Sequence, residues 1–180
     1  MVCDDVFLVV RAVNPNRKAF LDMLAVSEGT STSPATQHDG YDVIVTGSDG
    51  KPEIFTDFSA HPFAPEYPAN NWTKRPSKVI NSKGLTSNAS GRYQFMLKDW
   101  AHYRDTLNLM DFGPDSQDKW ALQLIRERGA LSLIDAGNFR LAVARVSNLW
   151  ASLPGAGYGQ HENNMDKLIA AYRAAGGTMI

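Results

Sequence analysis

The sequence predicts an α+β fold, mainly helical with a small β-hairpin lobe, and three observations carry that prediction. Apolar residues recur at helical spacing just after Asn14-Pro15. Two β-branched runs flank an Asp-Gly turn near residue 50. From residue 93 onward, helical segments alternate with Gly, Pro and Asn punctuation. One helix, then a minor β element, then a helical cluster is the segregated pattern of an α+β domain.

Each element follows from its residues. Asn14 can cap free helix N–H groups, and Pro15 at the first helical position sacrifices no hydrogen bond. Phe20, Met23, Leu24 and Ser27 then fall three and four residues apart, ending at Glu28-Gly29, where Gly can take a left-handed turn. Thr30–Asp39 is aperiodic and reads as a loop. Tyr41–Val45 and Glu53–Thr56 around Ser48-Asp49-Gly50 predict a hairpin. Residues 60–90 hold Pro62, Pro65, Pro68 and Pro76 and predict a long irregular connection. The expected helices beyond it are Tyr93–Leu107, Asp115 or Ser116 to Arg128, a short Leu131–Ala136 piece, Phe139–Trp150 capped by Asn138, and Asn163 to Ala175.

The chain has 180 residues and a formal net charge of −1, which fits one domain over 1–180 and disfavours a dedicated nucleic-acid binder. Its single cysteine, Cys3, can form no internal disulfide and no Cys-based zinc site. Val6–Val10 is too short to enter a bilayer, and Asp4, Asp5 and Arg11 spoil it as a signal peptide, so folding in a cytoplasm is expected. The small net charge conceals segregation. Residues 1–66 carry 4 basic and 10 acidic side chains, whereas 67–98 carry Lys74, Arg75, Lys78, Lys83, Arg92 and Lys98 with no acid. Such a stretch is either a solvated loop or a surface for an anionic substrate.

Glu28 is the leading chemical candidate. A carboxylate at a helix C-terminus meets the negative end of the macrodipole, and burial adds a desolvation penalty. Both raise its pKa toward the range of a general acid working near neutrality. Asp39, Asp42 and Asp57, beside the hairpin, are the candidates for a second carboxylate. His38 and His61 lack zinc-motif spacing, so no metal and no cofactor are expected. Gly155-Ala156-Gly157-Tyr158-Gly159 follows an apolar helix rather than a strand, which excludes a dinucleotide fingerprint. Tyr93 and Gln94, at an expected helix start, could hydrogen-bond sugar hydroxyls or amides.

Ordered blocks across roughly residues 14–178 resemble the lambda-type family of phage endolysins. They are Asn16–Ala25 with Ser27-Glu28-Gly29-Thr30, Gly40–Val45, Phe55-Thr56-Asp57, Ser59 with His61-Pro62, Gly91-Arg92-Tyr93-Gln94, Ser116-Gln117-Asp118, Glu127–Leu131 and Trp150–Gln160. The resemblance implies a lysozyme-like fold with a cleft between a helical body and the β lobe. It implies lytic transglycosylase cleavage of the β-1,4 bond between N-acetylmuramic acid and N-acetylglucosamine in peptidoglycan, and host-cell lysis. It places the catalytic glutamate on Glu28 and sugar contacts on Tyr41, Tyr93, Gln94, Tyr158 and Gln160, with the Gly-rich segment as one lip and part of the Pro-rich segment as the other. It further implies a monomer that needs no cofactor, does not insert into the membrane and reaches the wall from the host cytoplasm through a separate pore-forming holin. A hydrolytic muramidase using Glu28 with Asp39 or Asp42 stays open, as does an inactive wall-binding protein. Residues 1–13 extend beyond the family start, Val26 replaces a tryptophan before Ser27, and the stretch from Pro62 to Gly91 is longer than in the family.

Overall fold

The computed structural model describes residues 14–159 and 161–180. Cys3, the apolar run Val6–Val10 and Gln160 lie outside the described residues. Helix α1 spans Pro15–Ser27, and the Asn14 side chain accepts from the Asn16 N–H at 2.9 Å, as the cap in the sequence predicts. Phe20, Leu21, Met23, Leu24 and Ala25 are all buried, so α1 is enclosed on more than one face rather than lying amphipathically on a surface.

Two short antiparallel pairs form the β lobe. β1 (Val43–Ile44) pairs with β2 (Glu53–Ile54) in the register Val43↔Ile54. Their turn is fixed by Gly50 N–H donating to the Gly47 carbonyl at 3.0 Å. β3 (Lys78–Val79) pairs with β4 (Thr86–Ser87). The expected irregular 60–90 connection therefore contains a hairpin, and also a 3-10 turn at Pro68–Asn70. Non-local polar bonds, invisible to periodicity, hold this segment. Buried Asn70 donates to the Pro62 and Ala64 carbonyls at 3.1 and 2.7 Å, and Glu53 pairs with both Arg75 and Lys78.

The remaining helices are α2 (Leu97–Leu107), α3 (Pro114–Glu127), α4 (Leu131–Asp135), α5 (Phe139–Val146) and α6 (Met165–Ala174). α2 starts four residues later than Tyr93, because Gly91 and Gln94 take positive φ (79° and 52°) and Ser90 pairs with Phe95. The Tyr93–Gln94 pair thus sits in a tight turn and not at a helix start. α3 starts at Pro114, ahead of the expected Asp115 or Ser116 cap, with Asp111 accepting from Gly113 N–H and Ser116 Oγ, both at 2.8 Å. α5 ends at Val146 and passes into a 3-10 turn, Ser147–Leu149, instead of continuing to Trp150. α6 starts at Met165, capped by Asn164, two residues later than the expected Asn163.

One apolar cluster joins these elements. On the α1–α6 side, Phe139 stacks on Tyr172 at 4.4 Å and meets Phe20 edge-on at 5.8 Å. Under the β lobe, Phe95 stacks on Trp120 at 4.0 Å beside Phe112 and Trp100. These rings fix α1 between the body and the lobe, and so fix the place where α1 ends. No helix among the described residues is long and apolar enough to cross a membrane.

Candidate active site

Glu28 is the residue on which α1 terminates. Its N–H still donates to the Leu24 carbonyl at 2.8 Å, and Gly29 then turns the chain at φ 73°, a conformation that favours glycine. Thr30 locks the exit: its N–H donates to the Ala25 carbonyl at 3.0 Å and its hydroxyl lies 2.6 Å from the Arg92 carbonyl. The half-buried Glu28 side chain lines two cavities of about 540 and 430 Å³. Burial pushes its pKa up from 4.5 to about 6, while a 2.5 Å hydrogen bond donated by the Ser152 hydroxyl to Oε1 holds it down. A carboxyl so placed can carry a proton near neutrality and still reach its ionised form.

Val45 and Gln94 line both cavities together with Glu28, so these three residues form the waist of one continuous cleft. The larger arm is walled by Lys98, Asp99 and Tyr103 of α2, by Arg128, and by the Asn148–Ala151 segment with Tyr158. The smaller arm is walled by Thr30, Thr32, Ser33 and Pro34, and by Thr46 and Pro52 of the first hairpin. That lip therefore comes from the 30–34 loop and the β1–β2 hairpin. The Pro-rich segment, expected to form it, contributes only Ala89 to the cavities lined by Glu28.

The structure separates the expected sugar contacts into two groups. Gln94 is at the waist, its Nε2 donating to the Gly91 carbonyl at 3.0 Å. Tyr158 is 56% exposed on the lip of the larger arm, its hydroxyl bonded to the Asn148 carbonyl at 2.8 Å. Tyr93, by contrast, has no exposed surface, which corrects its placement among the sugar contacts. Its hydroxyl donates to Asp118 at 2.6 Å, and Tyr41 donates to the same Asp118 oxygen at 2.8 Å. Tyr41 is half-buried, lies under the Arg92 guanidinium at 4.8 Å and lines neither cavity of Glu28, so it too belongs to the support beneath the cleft. Burial pushes both phenols up and also raises Asp118. Gln160 lies outside the described residues.

The other acids have structural employment. Asp42 is fully buried and accepts from Thr36 Oγ1 at 2.5 Å and Gln37 N–H at 2.9 Å, bonds that lower its pKa against the opposing effect of burial. Asp39 pairs with Arg92 at 3.0 Å, and Asp57 accepts from Ser59 N–H at 2.8 Å. His38 contacts Asp42 at 3.3 Å, and buried His61 bonds to the Phe95 carbonyl at 3.0 Å. Among the described residues no group of three His, Cys, Asp or Glu could hold a metal ion.

Four residues that matter here escaped the sequence reading. Ser152 reaches Glu28 across 124 positions, a separation with no periodic trace, although it falls inside the Trp150–Gln160 block. Asn163 joins Ser27 to Ser152. Buried Gln117 accepts from Arg92 N–H at 2.8 Å and donates to the Tyr41 and Phe112 carbonyls, fastening α3 to the lobe. Asp118 anchors the two tyrosines. Both Gln117 and Asp118 lie in the Ser116-Gln117-Asp118 block, the one signal that could have found them.

The family described as Endolysin matches residues 18–179. The chain belongs to the endolysin family. It is 59% identical over 162 residues to the endolysin of Escherichia phage P2, covering 90% of this chain and 93% of that one. It is 51% identical over 168 residues to that of Escherichia phage lambda, covering 93% and 95%. A solved structure of bacteriophage lambda lysozyme complexed with a chitohexasaccharide superposes with a TM-score of 0.80 at 50% identity, over 94% of this chain and 99% of that one. A second structure of lambda lysozyme gives 0.76 at 49% identity. The fold is thus the expected lysozyme-like α+β arrangement, and the chain is a peptidoglycan-degrading enzyme of phage-induced lysis.

Proposed function

We propose that this enzyme cleaves the β-1,4 bond between N-acetylmuramic acid and N-acetylglucosamine as a lytic transglycosylase, with Glu28 serving as both acid and base. The observation that carries this reading is the waist. A glycan strand lying along both arms of the cleft must pass the Glu28 carboxyl. The chitohexasaccharide held by lambda lysozyme supports the view that an extended sugar chain occupies such a cleft.

In the first step protonated Glu28, its pKa near 6, gives its proton to the glycosidic oxygen as the bond to the anomeric carbon breaks. In the second, the Glu28 carboxylate takes the proton of the muramic acid C6 hydroxyl while that oxygen bonds to the same anomeric carbon. The proton count of the enzyme is restored, no water is consumed, and the product ends in a 1,6-anhydro ring. Gln94, at the waist, orients the sugar through its amide, and Tyr158 covers the larger arm.

Two carboxylates, the second either activating a water or acting itself as the nucleophile, are the usual requirement for hydrolysis. Asp39 and Asp42 are committed to Arg92 and to Thr36 and Gln37, which disfavours the hydrolytic alternative built on them. The test is mass spectrometry of digested peptidoglycan. Anhydro-muramic products, one water lighter than reducing ends, are expected; reducing ends would overturn the transglycosylase reading. We further propose that the enzyme acts as a monomer on the wall and reaches it from the host cytoplasm through an independent pore-former, without entering the membrane itself.

A further inference from the structure

A chain of side chains leads from Glu28 into the body of the protein. Ser152 Oγ lies 2.5 Å from Glu28 Oε1 and 2.8 Å from Ser27 Oγ. Ser27 Oγ is 3.1 Å from Asn163 Nδ2, and Asn163 Oδ1 is 2.6 Å from Lys167 Nζ on α6. The ends decide the direction of every proton. An ammonium can only donate, so Asn163 Oδ1 accepts from Lys167, which orients the Asn163 amide with its NH2 toward Ser27. That orientation agrees with Nδ2 donating to the Ser27 carbonyl at 3.0 Å, an atom that can only accept. Ser27 Oγ, accepting from Asn163, turns its own proton to Ser152, and Ser152 turns its proton to Glu28. Both Ser27 and Asn163 are buried, so water does not compete for these positions.

We propose that Lys167, Asn163, Ser27 and Ser152 form a positioning relay that reserves Oε1 of Glu28 as a permanent hydrogen-bond acceptor, so that the proton exchanged with the glycan is carried on Oε2. The inference rests on Glu28 being the acid–base group and assigns that proton to one of its two oxygens. None of the relay residues needs to touch the sugar. Their donors all point from a cation to the carboxyl, which stabilises its ionised form against the desolvation that burial imposes. The other charged or titratable groups around Glu28 are Lys98, Asp99 and Tyr103 of α2, Arg128 after α3, and Tyr158 of the lip. Asp166, beside Lys167, lies toward Arg140 at 4.0 Å. Among the described residues none of these bonds to Glu28 directly, which leaves Ser152 as its partner, through the hydroxyl at 2.5 Å and also through the backbone N–H, which Ser152→Ala retains.

The test is a carboxyl titration of the full chain by NMR with labelled glutamate, assigned through Glu28→Gln, alongside the pH profile of kcat on isolated cell-wall sacculi. In Ser152→Ala the Glu28 midpoint is expected to rise by about one pH unit, a tenfold change in its proton affinity. The alkaline limb of kcat should move up with it, and Ser152→Thr, which keeps the hydroxyl, should restore both. Lys167→Met should raise the midpoint by about half a unit, and Lys167→Arg should return it. An unmoved midpoint in folded Ser152→Ala overturns the proposal. Should that variant fail to fold, the solvent-facing Lys167→Met decides, and an unmoved midpoint there overturns it equally. The titration needs no substrate, so a hydrolytic product would defeat the transglycosylase reading while this outcome stands by itself.

Discussion

Trp150 donates its indole N–H to the Tyr93 carbonyl at 2.9 Å, and both residues are buried. Trp150 precedes Ser152, which bonds Glu28, and Tyr93 precedes Gln94 at the waist of the cleft. One hydrogen bond thus couples the segment that positions the acid to the turn that presents its neighbour. The Tyr93 side chain continues the coupling, since its hydroxyl reaches Asp118 on α3.

Trp150→Phe keeps most of the ring volume but removes the donor, leaving the Tyr93 carbonyl buried and unpaired. The expected cost is about 1–3 kcal/mol, read as a lowered urea midpoint by circular dichroism. Activity should fall further than stability explains, because Ser152 and Gln94 lose a common reference. Unchanged stability would mean that the carbonyl finds another donor and the coupling is not energetic.

Glu28→Gln should abolish lysis and at the same time stabilise the protein at alkaline pH. The folded pKa of about 6 exceeds the ordinary 4.5, so the folded chain holds this proton more tightly than the unfolded chain. The resulting contribution favours folding below about pH 4.5 and is lost as the pH rises through 6. Above that range an ionised, partly desolvated Glu28 costs about 2 kcal/mol relative to a neutral side chain. Denaturation at pH 8 should show Glu28→Gln more stable by about that amount, with the gap closing toward pH 4. A constant gap across pH would deny Glu28 its raised pKa.

Part of this site was legible in the sequence because local signals report it. Asn14, Pro15 and Gly29 delimit α1 by capping and backbone freedom, which places Glu28 at its end within one residue. The first hairpin was legible from β-branched runs and Asp-Gly. Residues 93–96 misled, because the apolar Tyr93, Phe95 and Met96 fit a helical pattern, whereas the Ser90↔Phe95 pairing and the left-handed Gln94 depend on partners elsewhere. The same limit hid the basic stretch's internal use. Glu53 neutralises Arg75 and Lys78 from another strand, and no count of charges along the chain can show that.

His61 supplies the opposite pH dependence to Glu28. It is wholly buried, and desolvation pushes its pKa down from 6.5 to about 4. The neutral ring donates from Nε2 to the Phe95 carbonyl and accepts Phe63 N–H at Nδ1. A depressed pKa gives stability that is full above about pH 6.5 and lost as the pH falls through 4, on the order of 3 kcal/mol for this shift. His61→Gln should lower stability at pH 7 yet unfold less steeply on acidification, as followed by circular dichroism between pH 7 and 4. An equally steep acid transition in the variant would place the responsible proton elsewhere.

The acid-free stretch 67–98 divides into cations already paired and cations left to act on a polyanionic wall. Arg75 and Lys78 are held by Glu53, so neutralising them should weaken the β lobe rather than wall binding. Lys74 and Lys83 are exposed, and Lys98 lines the larger arm of the cleft. Peptidoglycan stems carry carboxylates, and attraction between exposed opposite charges is screened by salt over about 8 Å at physiological ionic strength. The triple variant Lys74→Gln, Lys83→Gln, Lys98→Gln is therefore expected to bind sacculi several-fold more weakly at low salt and to show a flattened dependence on added salt. Its urea midpoint should match that of the unaltered protein, while Arg75→Gln with Lys78→Gln should lower the midpoint and leave the salt slope in place. Co-sedimentation with purified sacculi across a salt series reads both variants. If the triple variant keeps the original slope, the stretch is a solvated surface and the wall is held by the uncharged arm of the cleft.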